Sequence, residues 1–88
     1  MHKVAYEPRA ERELLALPRD IARRVAAAID RLCQEPRPSG CRKLSSRRER
    51  LYRIRVGDHR VIYEVRDSEL VIVVIQVAKR DEATYRGL

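Results

Sequence analysis

The stretch Leu51-Tyr52-Arg53-Ile54-Arg55-Val56-Gly57-Asp58-His59-Arg60-Val61-Ile62-Tyr63-Glu64-Val65 decides the fold. It alternates in character with period two on both sides of Gly57-Asp58. A two-residue loop that starts with glycine favours a type II′ hairpin turn. With that loop fixed, Val56 faces His59, Arg55 faces Arg60, Ile54 faces Val61, Arg53 faces Ile62 and Tyr52 faces Tyr63. Opposed residues of an antiparallel pair share a face. One face then carries Tyr52, Ile54, Val56, Val61, Tyr63 and Val65, a floor for other elements to cover. The other gathers Arg53, Arg55 and Arg60. Like charges opposed across strands are destabilising, so stability alone does not explain this face.

Downstream, Asp67-Ser68 marks a second tight turn. Leu70 to Ala78 follows as a nearly continuous β-branched strand, a pattern of burial on both sides. Upstream, Lys3 to Tyr6 is a short strand candidate. Pro8 then stands where the first turn of a helix tolerates it, with Glu7 and Glu11 near the positive end of the dipole. Ala10, Leu14 and Leu17 form one apolar stripe. Pro18 closes that helix and opens the next, in which Ile21, Val25, Ala28, Ile29 and Leu32 recur at helical spacing. Glu35-Pro36-Arg37-Pro38-Ser39-Gly40 stops it. The expected architecture is α+β, ordered β-α-α-β-β-β. A helical hairpin packs on a mainly antiparallel four-stranded sheet, all within one domain spanning residues 1–88.

Composition narrows the partners. The 88 residues include 20 Lys plus Arg against 13 Asp plus Glu, a net charge of +7, and there is no Trp or Phe. The excess speaks of partners and association rates rather than fold. Nearly all of it is arginine, whose planar fork suits phosphate and stacks on bases. No apolar run approaches the roughly 20 residues that span a bilayer. The N-terminus lacks the apolar stretch of a signal peptide, so the expected location is cytoplasmic. Cys33 and Cys41 lack metal-site spacing and read as free thiols, so no metal or other cofactor is expected.

The hairpin motif Tyr-Arg-Ile-Arg-Val-Gly-Asp-X-Arg-Val-Ile-Tyr resembles the central hairpin of the RelE/ParE toxin superfamily. Pro8 to Leu14, Glu35 to Pro38 and the ending Val77-Ala78-Lys79-Arg80-Asp81-Glu82-Ala83-Thr84-Tyr85-Arg86 are similar to the family as well. The resemblance covers essentially the whole chain. It implies the RelE-like fold and, for the RelE branch, a toxin that cuts messenger RNA in the ribosomal A site by 2′-hydroxyl attack on the adjacent phosphate. The family's functional positions fall on Arg53, Arg55, Arg60, Arg80 and Tyr85. It also implies a cognate antitoxin, with the ribosome and messenger RNA as further partners. Arg60, Arg80 and Tyr85 are the expected catalytic residues. Arg53, Arg55, Arg47, Arg48 and Lys79 are expected to hold RNA, with Lys79 and Arg80 adding to the field of the arginine face.

This chain departs from the family pattern where some members carry lysines at the strand pair, and an arginine cannot readily accept a proton. Ala78 stands where glycine is common. Glu64 is expected to neutralise one of the three arginines, and His59 to be a turn residue on the helix side. Two other readings stand beside the nuclease. One is a ParE-like inhibitor of DNA gyrase without nuclease chemistry; the other is a toxin that binds RNA without cutting it.

Overall fold

The computed structural model describes residues 1–44 and 51–79. In chain order these residues form β1 (Lys3–Tyr6), α1 (Pro8–Leu15), α2 (Arg19–Leu32), β2 (Arg42–Lys43), β3 (Leu51–Val56), β4 (His59–Arg66) and β5 (Val71–Lys79). The sheet runs β1-β5-β4-β3-β2, with β1 parallel to β5 and the other pairs antiparallel. The fold is α+β and RelE-like, with five strands where four were expected. The additional strand, β2, is two residues long and carries no periodic signal. β1 and β2 lie at opposite edges of the sheet, so α1 and α2 cross one face between them.

The β3–β4 register agrees at every expected pair, from Tyr52 opposite Tyr63 to Val56 opposite His59. Gly57 holds a φ of +59° while Asp58 stays in the ordinary region, as a glycine-first turn requires. The helical stripes cover the expected floor. Ala10, Val25, Ile29 and Leu32 are buried against Ile54, Val61, Tyr63, Val65, Ile72, Val74 and Val77. The second turn is tighter than a plain reversal: Asp67–Glu69 form a 3₁₀ turn and Leu70 adopts a left-handed φ of 54°. β5 therefore starts at Val71, one residue later than the apolar run suggests.

β5 contains a bulge. Ile62 pairs with Gln76 but Tyr63 pairs with Val74, leaving Ile75 unpaired. An extra residue reverses the alternation of everything beyond it. Without it, Gln76 would point into the helix-covered core with Ile72 and Val74. With it, Gln76 turns to the arginine face and Val77 enters the core. Ile75 joins Leu51 and Ile62 in a small second core on that face, packed against Leu44 and Val73. Beyond β1, the backbone N–H of Val77 has a side chain for its partner: Glu13 of α1 accepts it at 2.8 Å.

The loop after α2 is fastened to the sheet by polar contacts. The Tyr63 hydroxyl donates to the Pro36 carbonyl at 2.7 Å, and burial raises its pKa well above the ordinary tyrosine value. Tyr63 stacks on Tyr52, with ring centroids 5.9 Å apart. Arg37 donates to the Tyr52 hydroxyl at 3.0 Å and to Asp67 at 2.8 Å, and lies over the Tyr52 ring. Tyr63→Phe leaves the Pro36 carbonyl without its donor, an omission worth about 1–2 kcal/mol. Thermal unfolding should show the melting temperature of that variant lowered by about 5–10 °C.

Candidate nucleic-acid interface

Strand alternation turns Arg53 and Arg55 of β3 and Arg60 of β4 to the side of the sheet away from the helices. Arg55 stands directly opposite Arg60, and Arg42 of β2 directly opposite Arg53. Two arginine pairs thus face each other across neighbouring strands. Each opposes charges that a stable sheet would mix, and good cross-strand pairs contribute only roughly 0.2–1 kcal/mol. The face is held by the apolar cluster beside it, Leu51, Ile62 and Ile75.

The arginines differ in depth. Arg55 is exposed and Arg60 half-buried, whereas Arg53 is only 7% exposed. The Arg60 Nε atom is buried and has no hydrogen-bond partner among the described residues. Ala78 lies opposite Arg60 on β5. Gln76 lies in the row of Arg53, one strand beyond Ile62.

Two expectations change. Glu64 accepts a hydrogen bond from Arg66 rather than from the arginine cluster. Arg66 is two residues farther along the same strand and so emerges on the same face. Lys79 pairs with His59, which sits on the helix side, so Lys79 does not join Arg55 and Arg60 on their face. The bulge at Ile75 causes this reversal. His59 itself is 5% exposed. It lines a small cavity of about 150 Å³ with Ile21 and Arg24, in keeping with its reading as a turn residue on the helix side.

Arg47, Arg48, Arg80 and Tyr85 lie outside the described residues. Arg42 and Gln76 are the additions that the sequence did not suggest. Arg42 becomes visible only once β2 is placed, and Gln76 only once the bulge is. Cys33 and Cys41 are free thiols. Burial, and then Asp30, push the Cys33 thiol pKa up, which disfavours its thiolate. Among the described residues no His, Cys, Asp and Glu side chains are grouped to hold a metal. Among the same residues, no helix is long and apolar enough to cross a membrane.

A run of arginines on one sheet face can grip a polyanion and stabilise charge that develops on it. The comparisons agree in family. The model of the ParE toxins of type II toxin–antitoxin systems matches residues 4–84. None of the curated proteins matches the chain. Among solved structures, the archaeal RelE–RelB complex from Pyrococcus horikoshii contains a chain 32% identical, with a TM-score of 0.80, over 93% of this chain and 98% of that one. The RelBE2 toxin–antitoxin complex of Mycobacterium tuberculosis is 26% identical, with a TM-score of 0.77, over 90% of this chain and 98% of that one. The isolated RelE toxin of E. coli shares the fold at a TM-score of 0.80 and 22% identity, over 96% and 89% of the two chains. With its motif, its register and its family match in agreement, the chain belongs to the RelE/ParE superfamily of toxins of type II toxin–antitoxin systems.

Proposed function

We propose that this toxin is a metal-independent endoribonuclease that cuts messenger RNA in the A site of the ribosome. The observation that carries the reading is the directly opposed pair Arg55 and Arg60, on a face where Arg42 and Arg53 form a second such pair. The 32% identity to a RelE chain supports the same branch. In the reaction, the 2′-oxygen bonds to the adjacent phosphorus as the bond to the 5′-oxygen breaks. The 2′-hydroxyl gives up its proton to a base, and the departing 5′-oxygen takes one up. Arg53 and Arg55 hold the scissile and flanking phosphates, and Arg47 and Arg48 extend the grip. Arg60 and Arg80 offset the charge that develops on the five-coordinate phosphorus. Tyr85 stacks on a base or helps to move a proton.

The toxin acts in the cytoplasm and is silenced by a cognate antitoxin. The Pyrococcus and Mycobacterium relatives are toxin–antitoxin complexes, which supports that partner. A second reading is favoured by the family model itself, which is that of the ParE toxins: inhibition of DNA gyrase with no nuclease chemistry. Induction of the toxin without antitoxin separates the two. The nuclease reading expects growth arrest with new messenger RNA ends inside translated codons, absent when translation is blocked. Arrest with intact messenger RNA and defective supercoiling assigns the chain to the gyrase branch.

A further inference from the structure

On the helix side of the sheet, at the tip of the β3–β4 hairpin, lies a cavity of about 150 Å³ walled by Ile21 and Arg24 of α2 and by residues 56–59. A cavity of this volume has the room of one small ring. That suits a tetrahedral anion and excludes a nucleoside. His59 is 5% exposed and lines the cavity, and its Nε2 is buried with no hydrogen-bond partner among the described residues. Buried polar atoms are almost always satisfied, so this one calls for a ligand. Arg24 brings its guanidinium over the turn: Nη2 lies 3.9 Å from where a Cβ on Gly57 would stand. It forms no ion pair among the described residues, although Asp58 lines the same cavity. Lys79 stands opposite His59 on β5 and adds positive charge to the same face. Ile21 lies in the first turn of α2, at the positive end of the helix dipole. A two-residue hairpin loop bonds only the residues that flank it, which leaves over the N–H groups of Gly57 and Asp58. Successive N–H groups of a turn make anion-binding concavities. Among the described residues Asp58 is the single carboxylate of the wall, and it is exposed, so its charge is left in water.

We propose that this cavity is a phosphate-group site, held by the Arg24 guanidinium and the His59 Nε2–H, with the N–H groups of the turn as further donors. A guanidinium offers paired donors that match phosphate oxygens. An imidazole donates from Nε2 in its protonated form and in the neutral tautomer that carries the hydrogen there. The site lies on the opposite side of the sheet from Arg53, Arg55 and Arg60, so its phosphate is a different one from any that those residues hold. The ligand is free phosphate or a backbone phosphate of RNA, which present similar oxygens. The site does not depend on the nuclease reading.

The test is titration of the purified, isotope-labelled full chain with inorganic phosphate, followed by NMR of its amide and imidazole groups, against chloride at equal ionic strength. Saturable shifts are expected at Gly57, Asp58 and the His59 ring. Arg24→Gln, at an exposed position, should weaken phosphate binding at least about tenfold, because hydrogen bonds to charged groups are the stronger kind. The rest of its spectrum, unchanged, shows that it is folded. Arg24→Lys should fall between, since it keeps the charge and loses the fork. A single-stranded RNA without terminal phosphates identifies the source. RNA that displaces phosphate from Gly57 and Asp58 supports the site as one for the RNA backbone. RNA that binds the arginine face while phosphate stays in place supports it as one for free phosphate. Shifts that never saturate, or equal phosphate affinity in wild type and Arg24→Gln, overturn the proposal. So do saturable shifts confined to Arg53, Arg55 and Arg60, which put phosphate on the arginine face alone.

Discussion

Arg60→Ala is expected to lower single-turnover cleavage on programmed ribosomes by about a hundred- to a thousandfold, the usual loss when one preorganised donor to a developing anion is removed. The same change should leave the melting temperature where it is or raise it slightly. Arg60 opposes Arg55 directly across the strands, and its Nε is buried without a hydrogen-bond partner among the described residues. Alanine relieves both costs, and like-charge relief across strands is worth up to about 1 kcal/mol. The half-buried aliphatic stem of Arg60 works the other way, since its packing is lost. The two effects are of similar size, so stability should change little while activity collapses. Arg55→Ala relieves the same repulsion, yet it should weaken ribosome-bound RNA contact in a salt-dependent way rather than remove the chemical step. A drop of more than about 10 °C in melting temperature for Arg60→Ala, corresponding to over about 1 kcal/mol, makes Arg60 a structural residue and defeats its assignment.

The hairpin was fully legible because two signals agreed on one register. The glycine-first turn fixed the pairing, and the alternation of Tyr52, Ile54 and Val56 against Arg53 and Arg55 fixed the faces. The helices were legible from their stripes and their prolines. Three features were not. β2 has two residues, and no period can be read from two. The bulge at Ile75 lies within a nearly continuous apolar run, where alternation carries no contrast. Lys79 was assigned to the arginine face because it stands directly after the apolar run that ends at Ala78; it is the last residue of β5, and the bulge sends it to the other side. Glu13, a helical carboxylate four residues from Arg9, reads as one half of a surface pair. It does meet Arg9 at 3.3 Å, but its other oxygen caps the N–H of Val77. Such a role depends on where β1 stops, which a helix sequence does not record.

The proton of the 2′-hydroxyl is the part of the chemistry that the described arginines do not handle. Arginine side chains keep their own proton throughout the physiological range and offer no acceptor. Glu64, the carboxylate on the arginine face, accepts from Arg66, and the Tyr52 and Tyr63 hydroxyls are occupied on the helix side by Arg37 and the Pro36 carbonyl. Tyr85, implied by the resemblance and outside the described residues, is the side chain we assign to this step. Tyr85→Phe should then slow single-turnover cleavage by about a hundredfold or more, the lower end of what positioned acid–base groups contribute. Ribosome affinity should barely move, because the ring is retained and only the hydroxyl is lost. Tyr85→Ala should add a binding defect to the rate defect, since base–aromatic stacking contributes roughly 1–3 kcal/mol. The ratio between the two variants separates the roles. If Phe cleaves as fast as Tyr while Ala fails, the ring stacks and does no proton transfer. The proton then passes to a ribosomal group, since the arginines on this face offer no acceptor.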